Sequence, residues 1–391
     1  MTDKRSRFGH RASLWIAALS TVTVAVVIGC GGGGAGGGSL TGSTSSTSTS
    51  STSGTSTSST SGTSGSPGTP LPGTLPSNVI FYGDGGSSAL VGTSYDVHYI
   101  SPDGTGDSLY VTVPPNVESL SPNPSVSGQY IFAATSGDPT SSSAVYGIYS
   151  NTSLSLFGAK TIASAIYPNV DSIVVSPDGN YVVFAATDTN DVSTIYRVQI
   201  SGGTPAPLFA GADPTIDATG KYIVFDQYDA TSSQQYIWKS NFDGSGAAQL
   251  TTGTGTFDSF PQFSKQSDRI AFERYNGTNT DVYTIKADGT NLTAITSSTD
   301  QIRFGPSWSP DGTLLSFYTE PVVSTVSSIT GLCTATSTPA STIAAPTLVK
   351  SLVLPEAATY WTGNNGRSTA PWRLLQIRRK RALANHKKGT P

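Results

Sequence analysis

The sequence has few of the residues that build metal sites, disulfide frameworks and helical bundles. Its 391 residues include three histidines, two cysteines and one methionine, and only 12% of them are charged. So few histidines and cysteines argue against a histidine-rich metal site or a disulfide framework, and so little charge argues against a coiled coil. Glycine (42 residues), proline (24 residues) and many serines and threonines take their place. This composition favours an all-β body with many turns, joined to segments that do not fold.

The charges are unevenly distributed along the chain. Residues 1–77 hold four lysines and arginines and one acid, residues 78–366 hold ten against twenty-four acids, and residues 367–391 hold eight and no acid. Because an acidic body repels phosphate backbones, no nucleic acid partner is expected for it. The basic C-terminal tail could lie on anionic lipid or glycan, but a solvated, disordered tail is the preferred interpretation.

The N-terminal residues resemble a bacterial lipoprotein signal. A basic segment precedes an apolar run over residues 12–28, and Val27-Ile28-Gly29-Cys30 is similar to the lipobox. The resemblance implies cleavage after residue 29, a lipid anchor at Cys30 that holds the protein to the membrane, and a place in the cell envelope facing the periplasm or the exterior. An uncleaved transmembrane anchor is the alternative, since about 18 apolar residues are borderline for spanning a bilayer.

The segment after Cys30 is of low complexity. Of the 47 residues from 31 to 77, 43 are Gly, Ser, Thr or Pro and none is charged. Such a segment has nothing to bury that would offset its ordering entropy. We therefore expect residues 30–77 to be a disordered tether with a reach of about 40 Å. An O-glycosylated stalk is the alternative to a plain spacer.

From residue 78 onward, two kinds of segment alternate. The first kind is Pro306–Gly312 (PSWSPDG) followed by an apolar strand, and copies of it begin near residues 122, 175, 214 and 261. The second kind is Asp281–Gly289 (DVYTIKADG), which matches Asp96–Gly104 (DVHYISPDG). Both alternate apolar and polar residues and end in a hairpin turn signature. Successive copies lie about 41–51 residues apart, which is the length of four strands and their turns.

These segments resemble the TolB-type, WD40-like propeller repeat, well over residues 78–318 and poorly over 319–366. The resemblance implies an all-β, six-bladed β-propeller over residues 78–366, with five or seven blades as alternatives. Residues 78–83 have the pattern of a second strand, and Thr359–Asn365 is similar to Pro306–Gly312. The C-terminal segment is therefore expected to supply the missing first strand and close the ring, with Trp361 in the place of Trp308.

Few residues of the body have catalytic or metal-binding chemistry. His98 is its one histidine and stands where Tyr283 and Trp238 stand in sister copies, so we expect a packed or rim-facing residue. A Ser-His-Asp apparatus would need His98 as its base, and no Gly-x-Ser-x-Gly elbow occurs. Cys333 is expected to be a buried, inert lone thiol once Cys30 is acylated. No catalytic residue, cofactor-binding residue, metal ligand or cofactor is predicted.

Two recurring residue types have structural explanations. The Asp-Gly pairs at positions 103, 178, 243, 288 and 311 are expected to be turns in which Asp caps the backbone and Gly has positive φ. No EF-hand alternation is present, and a cation in the central channel is the minor alternative. Aromatic residues at fixed blade positions are expected to pack between blades rather than to stack on carbohydrate; they are Trp238, Phe263, Tyr283, Trp308 and Trp361.

The sequence therefore predicts a signal peptide (1–29), a lipidated cysteine with its linker (30–77), a propeller (78–366) and a basic tail (367–391). TolB-type propellers bind partner proteins in the periplasm, so the resemblance implies a non-catalytic protein that binds a protein or glycan through its loops or central channel. The motif that this sequence shares with TolB-type propellers is structural, so the resemblance assigns no residue as a partner contact. The alternative is an enzyme acting on polysaccharide or peptide, and a structural envelope protein is a third hypothesis.

Overall fold

The computed structural model describes residues 78–84, 94–138, 144–167, 169–188, 192–277, 279–299, 301–321, 330–337, 346–352 and 360–361. These residues form twenty-four β-strands and no α-helix, which confirms the all-β prediction for this part of the chain. Over the same ranges, no helix is long and apolar enough to cross a membrane. The predicted signal peptide, Cys30, the linker and the basic tail lie outside the described residues.

The first three sheets each contain four strands. The first has the order β24-β1-β2-β3, at Tyr360–Trp361, Ile80–Asp84, Tyr95–Ile100 and Ser108–Val113. The second has the order β4-β5-β6-β7, at Val117–Pro122, Tyr130–Ala134, Tyr146–Asn151 and Lys160–Tyr167. The third has the order β8-β9-β10-β11, at Val170–Val175, Tyr181–Thr187, Ser193–Gln199 and Ala206–Ala210.

The next sheet contains eight strands, and its two halves are joined by the parallel pair Gln235↔Phe257. Its first half has β12–β15 at Ala212–Ile216, Tyr222–Asp229, Gln234–Asn241 and Ala248–Gln249. Its second half has β16–β19 at Phe257–Phe263, Arg269–Tyr275, Thr280–Lys286 and Thr293–Ala294. The last sheet has β20–β23 at Gln301–Trp308, Leu314–Pro321, Thr330–Thr336 and Thr347–Leu352. Hydrogen-bonded pairing alone thus gives five sheets.

Each group of four strands, which we call a run, is one four-stranded sheet or one half of the eight-stranded sheet. The second strand of a run is apolar on both of its faces because other strands cover both faces. In β5 every residue of Tyr130–Ala134 is buried, and in β9 the five central residues are buried. A strand that is packed on both faces has a continuous apolar sequence instead of an alternating one. The Val, Ile and Phe content of these strands also suits the pleated backbone. These central strands therefore hold most of the core.

Six clusters of buried apolar side chains join the strands face to face. They lie between β1–β3 and β4–β5, β5–β7 and β8–β10, β8–β10 and β12–β13, β13–β14 and β16–β18, β17–β18 and β20–β22, and β21–β22 and β1–β2. The last cluster returns to the first sheet, so the series closes into a ring. Each large side chain buried there contributes about 1.5–3 kcal/mol. The result is a β-propeller-like arrangement.

The first and last described strands meet in the first sheet. Strand β24 pairs with β1 through Ile80↔Trp361 and Phe81↔Tyr360, so the prediction that the C-terminal segment supplies the missing first strand is confirmed. The first strands of successive runs contact one another and therefore surround the axis of the ring. We call the face at which these strands begin the upper face, and the opposite one the lower face. By the pairing with β24, the chain enters at Ile80 and leaves at Trp361 on the lower face.

Candidate binding face

The structure places His98 in β2, against a tyrosine and an aspartate. Its Nδ1 atom lies 3.5 Å from Oδ1 of Asp107, and its side chain is 22% exposed. The hydroxyl of Tyr82 donates to the same Asp107 oxygen at 2.5 Å, and the rings of Tyr82 and His98 lie 5.6 Å apart. Of the predicted alternatives, a packed or a rim-facing residue, these contacts confirm the packed one. The two side chains gathered around His98 are not those of a Ser-His-Asp apparatus.

Cys333 lies in β22, in the cluster between β17–β18 and β20–β22. Its side chain is fully buried, as predicted. It is disulfide-bonded, so the prediction of a lone thiol is wrong. Cys30 is the only other cysteine in the sequence, and it lies outside the described residues.

The Asp-Gly pairs form turns on the lower face. In the best-defined example, Asp311 Oδ1 accepts hydrogen bonds from the N–H of Thr313 at 3.0 Å and the hydroxyl of Ser309 at 2.6 Å, and Gly312 has a φ of +71°. The hydroxyl donor and then the backbone donor hold the pKa of Asp311 below its ordinary value. The four sister turns bond in the same way, so the predicted turn role is confirmed. Within the described ranges, no group of three or more His, Cys, Asp or Glu is placed to hold a metal ion.

The recurring aromatic residues pack between neighbouring runs. Trp308 and Phe263 are buried in two of the clusters, while Trp238 and Tyr283 pack against clusters from the side. The indole of Trp308 also donates to the backbone oxygen of Gln262 in β16 at 2.9 Å. The packing role is therefore confirmed for these four residues, while the side chain of Trp361 lies outside the described part of the structure.

The charges are segregated between the two faces. The upper ends of the described strands carry three basic residues, Arg274, Arg303 and Lys350, against thirteen acids. The lower ends carry seven basic residues against eight acids. The upper acids are Asp84, Asp96, Glu118, Asp138, Asp171, Asp188, Asp213, Asp226, Asp229, Asp258, Glu273, Asp281 and Glu320. Only the sheet register sorts these residues by face, so the sequence alone gives no sign of the asymmetry.

Both upper arginines are buried in ion pairs. Arg274 donates to both oxygens of Asp258, through Nε at 2.6 Å and through NH2 at 2.7 Å. Burial by itself would lower the pKa of Arg274, but the hydrogen bond and charge of Asp258 raise it above its usual value. Arg303 donates through NH1 to Oδ1 of Asp281 at 3.0 Å. Each arginine thus compensates one acid, and acids remain in excess over bases at the upper strand ends.

Three first strands share a backbone bulge near the upper face. Asp213, Phe260 and Gly305 have φ angles of 51°, 53° and 65°, and each precedes a proline. At all three the register shifts against the second strand. Glycine adopts this left-handed conformation freely, whereas it costs Phe260 about 1–2 kcal/mol. Sequence reasoning missed the bulges, although the prolines at 214, 261 and 306 recur in register.

Carboxylates from the preceding run hold two of these bulges. Oδ2 of Asp226 accepts a hydrogen bond from the N–H of Phe260 at 3.0 Å, and Oε1 of Glu273 accepts one from the N–H of Gly305 at 2.8 Å. Asp226 and Glu273 follow the equivalent phenylalanines of β13 and β17, so the two bonds are equivalent. Part of the upper acidity therefore fixes the first strands around the axis.

A row of aromatic side chains crosses the upper end of the eight-stranded sheet. Tyr228 pairs with Gln235, Gln235 with Phe257, and Phe257 with Tyr275, so the four residues follow one another across four strands. Tyr228 is 48% and Tyr275 is 38% exposed, and the rings of Phe257 and Tyr275 lie 6.2 Å apart. We call these four residues the aromatic seam.

Comparisons with known proteins give likenesses of fold only. No protein family and no curated protein matches the sequence. Many solved structures have similar folds. Two of them are TolB proteins. The putative TolB of Agrobacterium tumefaciens is 14% identical, with a TM-score of 0.47 over 75% of this chain and 96% of that one. TolB of Acinetobacter baumannii is 18% identical, with a TM-score of 0.49 over 72% of this chain and 68% of that one.

An enzyme is also among the similar solved structures. An oligogalacturonate lyase in complex with manganese is 12% identical, with a TM-score of 0.44 over 73% of this chain and 74% of that one. TolB proteins are thus among the structural neighbours of the chain, as the repeat resemblance implied, and so is a lyase. At these identities the likeness concerns the fold and does not discriminate between functions.

The cations of the lower face link neighbouring runs. The guanidinium of Arg197 lies 5.2 Å from the ring centres of both Tyr181 and Phe242, and it donates to the backbone oxygen of Phe242 at 2.9 Å. Lys239 lies over the ring of Tyr222 and donates to a backbone oxygen of the following run. These cations are held by the protein's own rings and carbonyls, so the lower face offers less charge than its composition suggests.

Proposed function

We propose that this protein is a non-catalytic β-propeller that binds a macromolecular partner at its acidic upper face. The observation that carries the proposal is the charge segregation: thirteen acids and three bases lie at the upper strand ends, against eight acids and seven bases at the lower ones. A face of one sign attracts and orients a partner of the opposite sign. The partner is therefore a protein or glycan whose contact surface is not anionic.

The proposal includes six blades. It divides the eight-stranded sheet at the pair Gln235↔Phe257, which is its only parallel pair. Two features support the division. Each half contains one second strand of the repeat, β13 or β17, and an apolar cluster lies between the halves as it does between the other neighbouring runs. In this count of six blades, β24 is the innermost strand of the first blade.

The proposal also includes the anchor. Residues 1–29 are the signal peptide, Cys30 carries the lipid, residues 30–77 are the linker, and residues 367–391 are a basic tail beyond the propeller of residues 78–366. Because a lipidated Cys30 cannot pair with Cys333, the anchor requires that the two cysteines are not disulfide-bonded to each other in the mature protein. The protein then lies in the cell envelope, facing the periplasm or the exterior. Since the chain enters the first sheet on the lower face, such a linker joins the propeller there and leaves the upper face clear of its point of attachment.

Metabolic labelling with an alkyne fatty acid tests the anchor. One sulfur forms either a thioether or a disulfide, and Cys30 is the only cysteine in the sequence besides the disulfide-bonded Cys333. Label on the wild type and none on Cys30→Ala supports lipidation. An unlabelled wild type whose non-reduced mass shows a Cys30–Cys333 bond contradicts it.

Affinity capture from the envelope with matched charge variants tests the binding role. The upper triple variant Asp96→Asn, Asp188→Asn, Asp229→Asn removes three charges and keeps three acceptor oxygens. The lower triple variant Asp103→Asn, Asp243→Asn, Asp288→Asn does the same in equivalent turn positions. We expect the upper variant to capture several-fold less of the wild type's partner and the lower variant to capture as much. Equal capture by both variants would contradict the proposal.

One observation favours the enzymatic alternative, which is the grouping of His98 with Asp107 and Tyr82. An imidazole beside a carboxylate is the arrangement from which a general base is built. Screening the full chain against glycans and peptides decides between the classes. Turnover that His98→Ala abolishes would replace the binding role with an enzymatic one.

A further inference from the structure

We propose that the basic tail, residues 367–391, binds anionic phospholipid and holds the lower face of the propeller towards the membrane. The inference rests on the proposed place in the envelope and adds a second ligand to the proposed partner. It starts from the charge of the tail, which has eight lysines and arginines and no acid. Segments with four to eight such residues beside a membrane are attracted to anionic lipid, by about fivefold in affinity for each charge.

The tail also carries apolar residues beside its charges. Trp372, Leu374, Leu375 and Ile377 precede the four consecutive bases at residues 378–381. Tryptophan and leucine side chains enter the interface of a bilayer, while lysine and arginine stay at the headgroups. A soluble polyanion offers only the charges, so this mixture favours a lipid surface over an anionic glycan or a nucleic acid.

The strand pairing shows where the tail leaves the propeller. Trp361 pairs with Ile80, so the last described strand ends beside the start of the first one, on the lower face. Directly paired residues lie about 5 Å apart. The segment before Ile80 and the segment after Trp361 therefore leave the propeller at the same place. A lipid anchor on the linker and a lipid contact of the tail then act on the same side of the ring.

The charges of the folded body favour the same orientation. The upper strand ends carry thirteen acids and three bases, whereas the lower ones carry eight acids and seven bases. An anionic bilayer therefore repels the upper face more strongly than the lower one. The lower face approaches the lipid, and the acidic upper face stays towards the solvent, where the proposed partner reaches it.

The linker alone does not orient the propeller. With a reach of about 40 Å for residues 30–77, an anchored propeller turns either face to the membrane. A second contact on the lower face removes this freedom. Because the anchor already keeps the tail near the bilayer, the binding of the tail becomes an intramolecular step at high effective concentration.

The protein's own acidic upper face is the competing site for the tail. The last described strand ends at Trp361 on the lower face, so the tail reaches the upper face only by passing around the rim or through the ring. The bilayer lies on the side where the tail emerges. The position of Trp361 thus favours lipid as the ligand of the tail.

Vesicle co-sedimentation of the full mature chain, purified without its lipid, tests the contact. We expect binding to vesicles of phosphatidylglycerol and phosphatidylcholine that weakens with salt, and no binding to phosphatidylcholine alone. The tail variant Arg378→Gln, Arg379→Gln, Arg381→Gln should bind at least about tenfold more weakly, since it removes three charges from the contact.

The matched control removes three charges from the folded part of the lower face. It carries Lys160→Gln, Lys221→Gln and Lys286→Gln, so its net charge equals that of the tail variant. It should bind nearly as tightly as the wild type, because the contact lies in the tail. The comparison separates the tail from a general loss of positive charge.

Energy transfer to an acceptor-labelled lipid reports the orientation of the bound chain. A fluorescent residue is placed at Phe157 on the lower face or at Tyr228 on the upper face, both of which are exposed. We expect stronger transfer from position 157 than from position 228 in the wild type, and weak transfer from both positions in the tail variant.

Three results would overturn the inference. The first is vesicle binding that the tail variant leaves unchanged. The second is no binding to the anionic vesicles, and retention of the chain on heparin would then make the tail a glycan contact. The third is stronger energy transfer from position 228, which would turn the upper face to the membrane. In the first two cases, reduced envelope capture by the upper triple variant would still support the binding role, so the two proposals can fail separately.

Discussion

The backbone N–H of Phe260 donates a hydrogen bond to Oδ2 of Asp226 at 3.0 Å, across the two halves of the eight-stranded sheet. Phe260 has a φ of 53°, and the equivalent residue of the next run is Gly305. A bulky residue keeps this conformation only where its surroundings fix it. The carboxylate of the preceding run does so here, and it sets the path of an innermost strand near the candidate binding face.

Replacing Asp226 therefore tests the hold on this bulge. Asp226→Ala leaves the N–H of Phe260 without its acceptor, and we expect the free energy of unfolding to fall by about 1–3 kcal/mol. Asp226→Asn keeps an acceptor oxygen and should cost clearly less. Urea denaturation measures both. If both variants lose the same free energy of unfolding, the hydrogen bond to the N–H of Phe260 is not the source of the stability that Asp226 contributes.

The buried pair of Asp258 and Arg274 gives a second prediction. Both side chains are at most 10% exposed, so removing one partner leaves a buried charge uncompensated. Arg274→Met should lower the free energy of unfolding by about 3–5 kcal/mol. Adding Asp258→Leu to that variant should recover much of the loss, because no buried charge remains. Thermal denaturation of the single and double variants checks this, and a double variant less stable than the single one would contradict it.

The position of Arg197 between two rings gives a prediction for the lower face. Arg197→Ala removes contacts with Tyr181 and with Phe242 of the following run, and about 1–2 kcal/mol of stability should be lost. Lys160 also donates to a backbone oxygen across runs, at 3.3 Å, but it is exposed. Lys160→Ala should therefore cost much less. Comparable shifts in the thermal midpoint of the two variants would refute the role of the rings.

The turn carboxylates predict a pH dependence with a definite sign. The pKa of Asp311 in the folded protein lies below its ordinary value of 3.8, so its contribution to stability is present above that pH and is lost as the pH falls through the folded pKa. Asp311→Asn should be slightly less stable than the wild type at pH 7, by well under about 1 kcal/mol at this exposed site. This difference in stability between the variant and the wild type should disappear as the pH falls below 3.8. A gap that stays constant across an acid titration would contradict the assignment.

Much of the fold follows from the sequence because the repeat is local. The Asp-Gly turns and the apolar second strands are set by residues close together in the chain, and the closing segment near Trp361 is recognisable by its likeness to Pro306–Gly312. The candidate face was not predicted, because it depends on pairings between runs. Gln235 and Phe257 are 22 positions apart, and nothing near either residue announces their parallel pairing. The disulfide at Cys333 was missed because the only other cysteine lies in a lipobox-like segment.

Site-specific photo-crosslinking in the intact envelope tests the central claim most directly. A photoreactive residue is placed at Tyr228 on the upper face in one strain and at Phe157 on the lower face in another. Both positions are surface-exposed aromatic residues, so the probe itself should disturb the fold equally little. The account predicts a partner crosslinked from position 228 and none from position 157. Crosslinks from position 157 alone would show that the protein binds its partner through the lower face and would contradict the account.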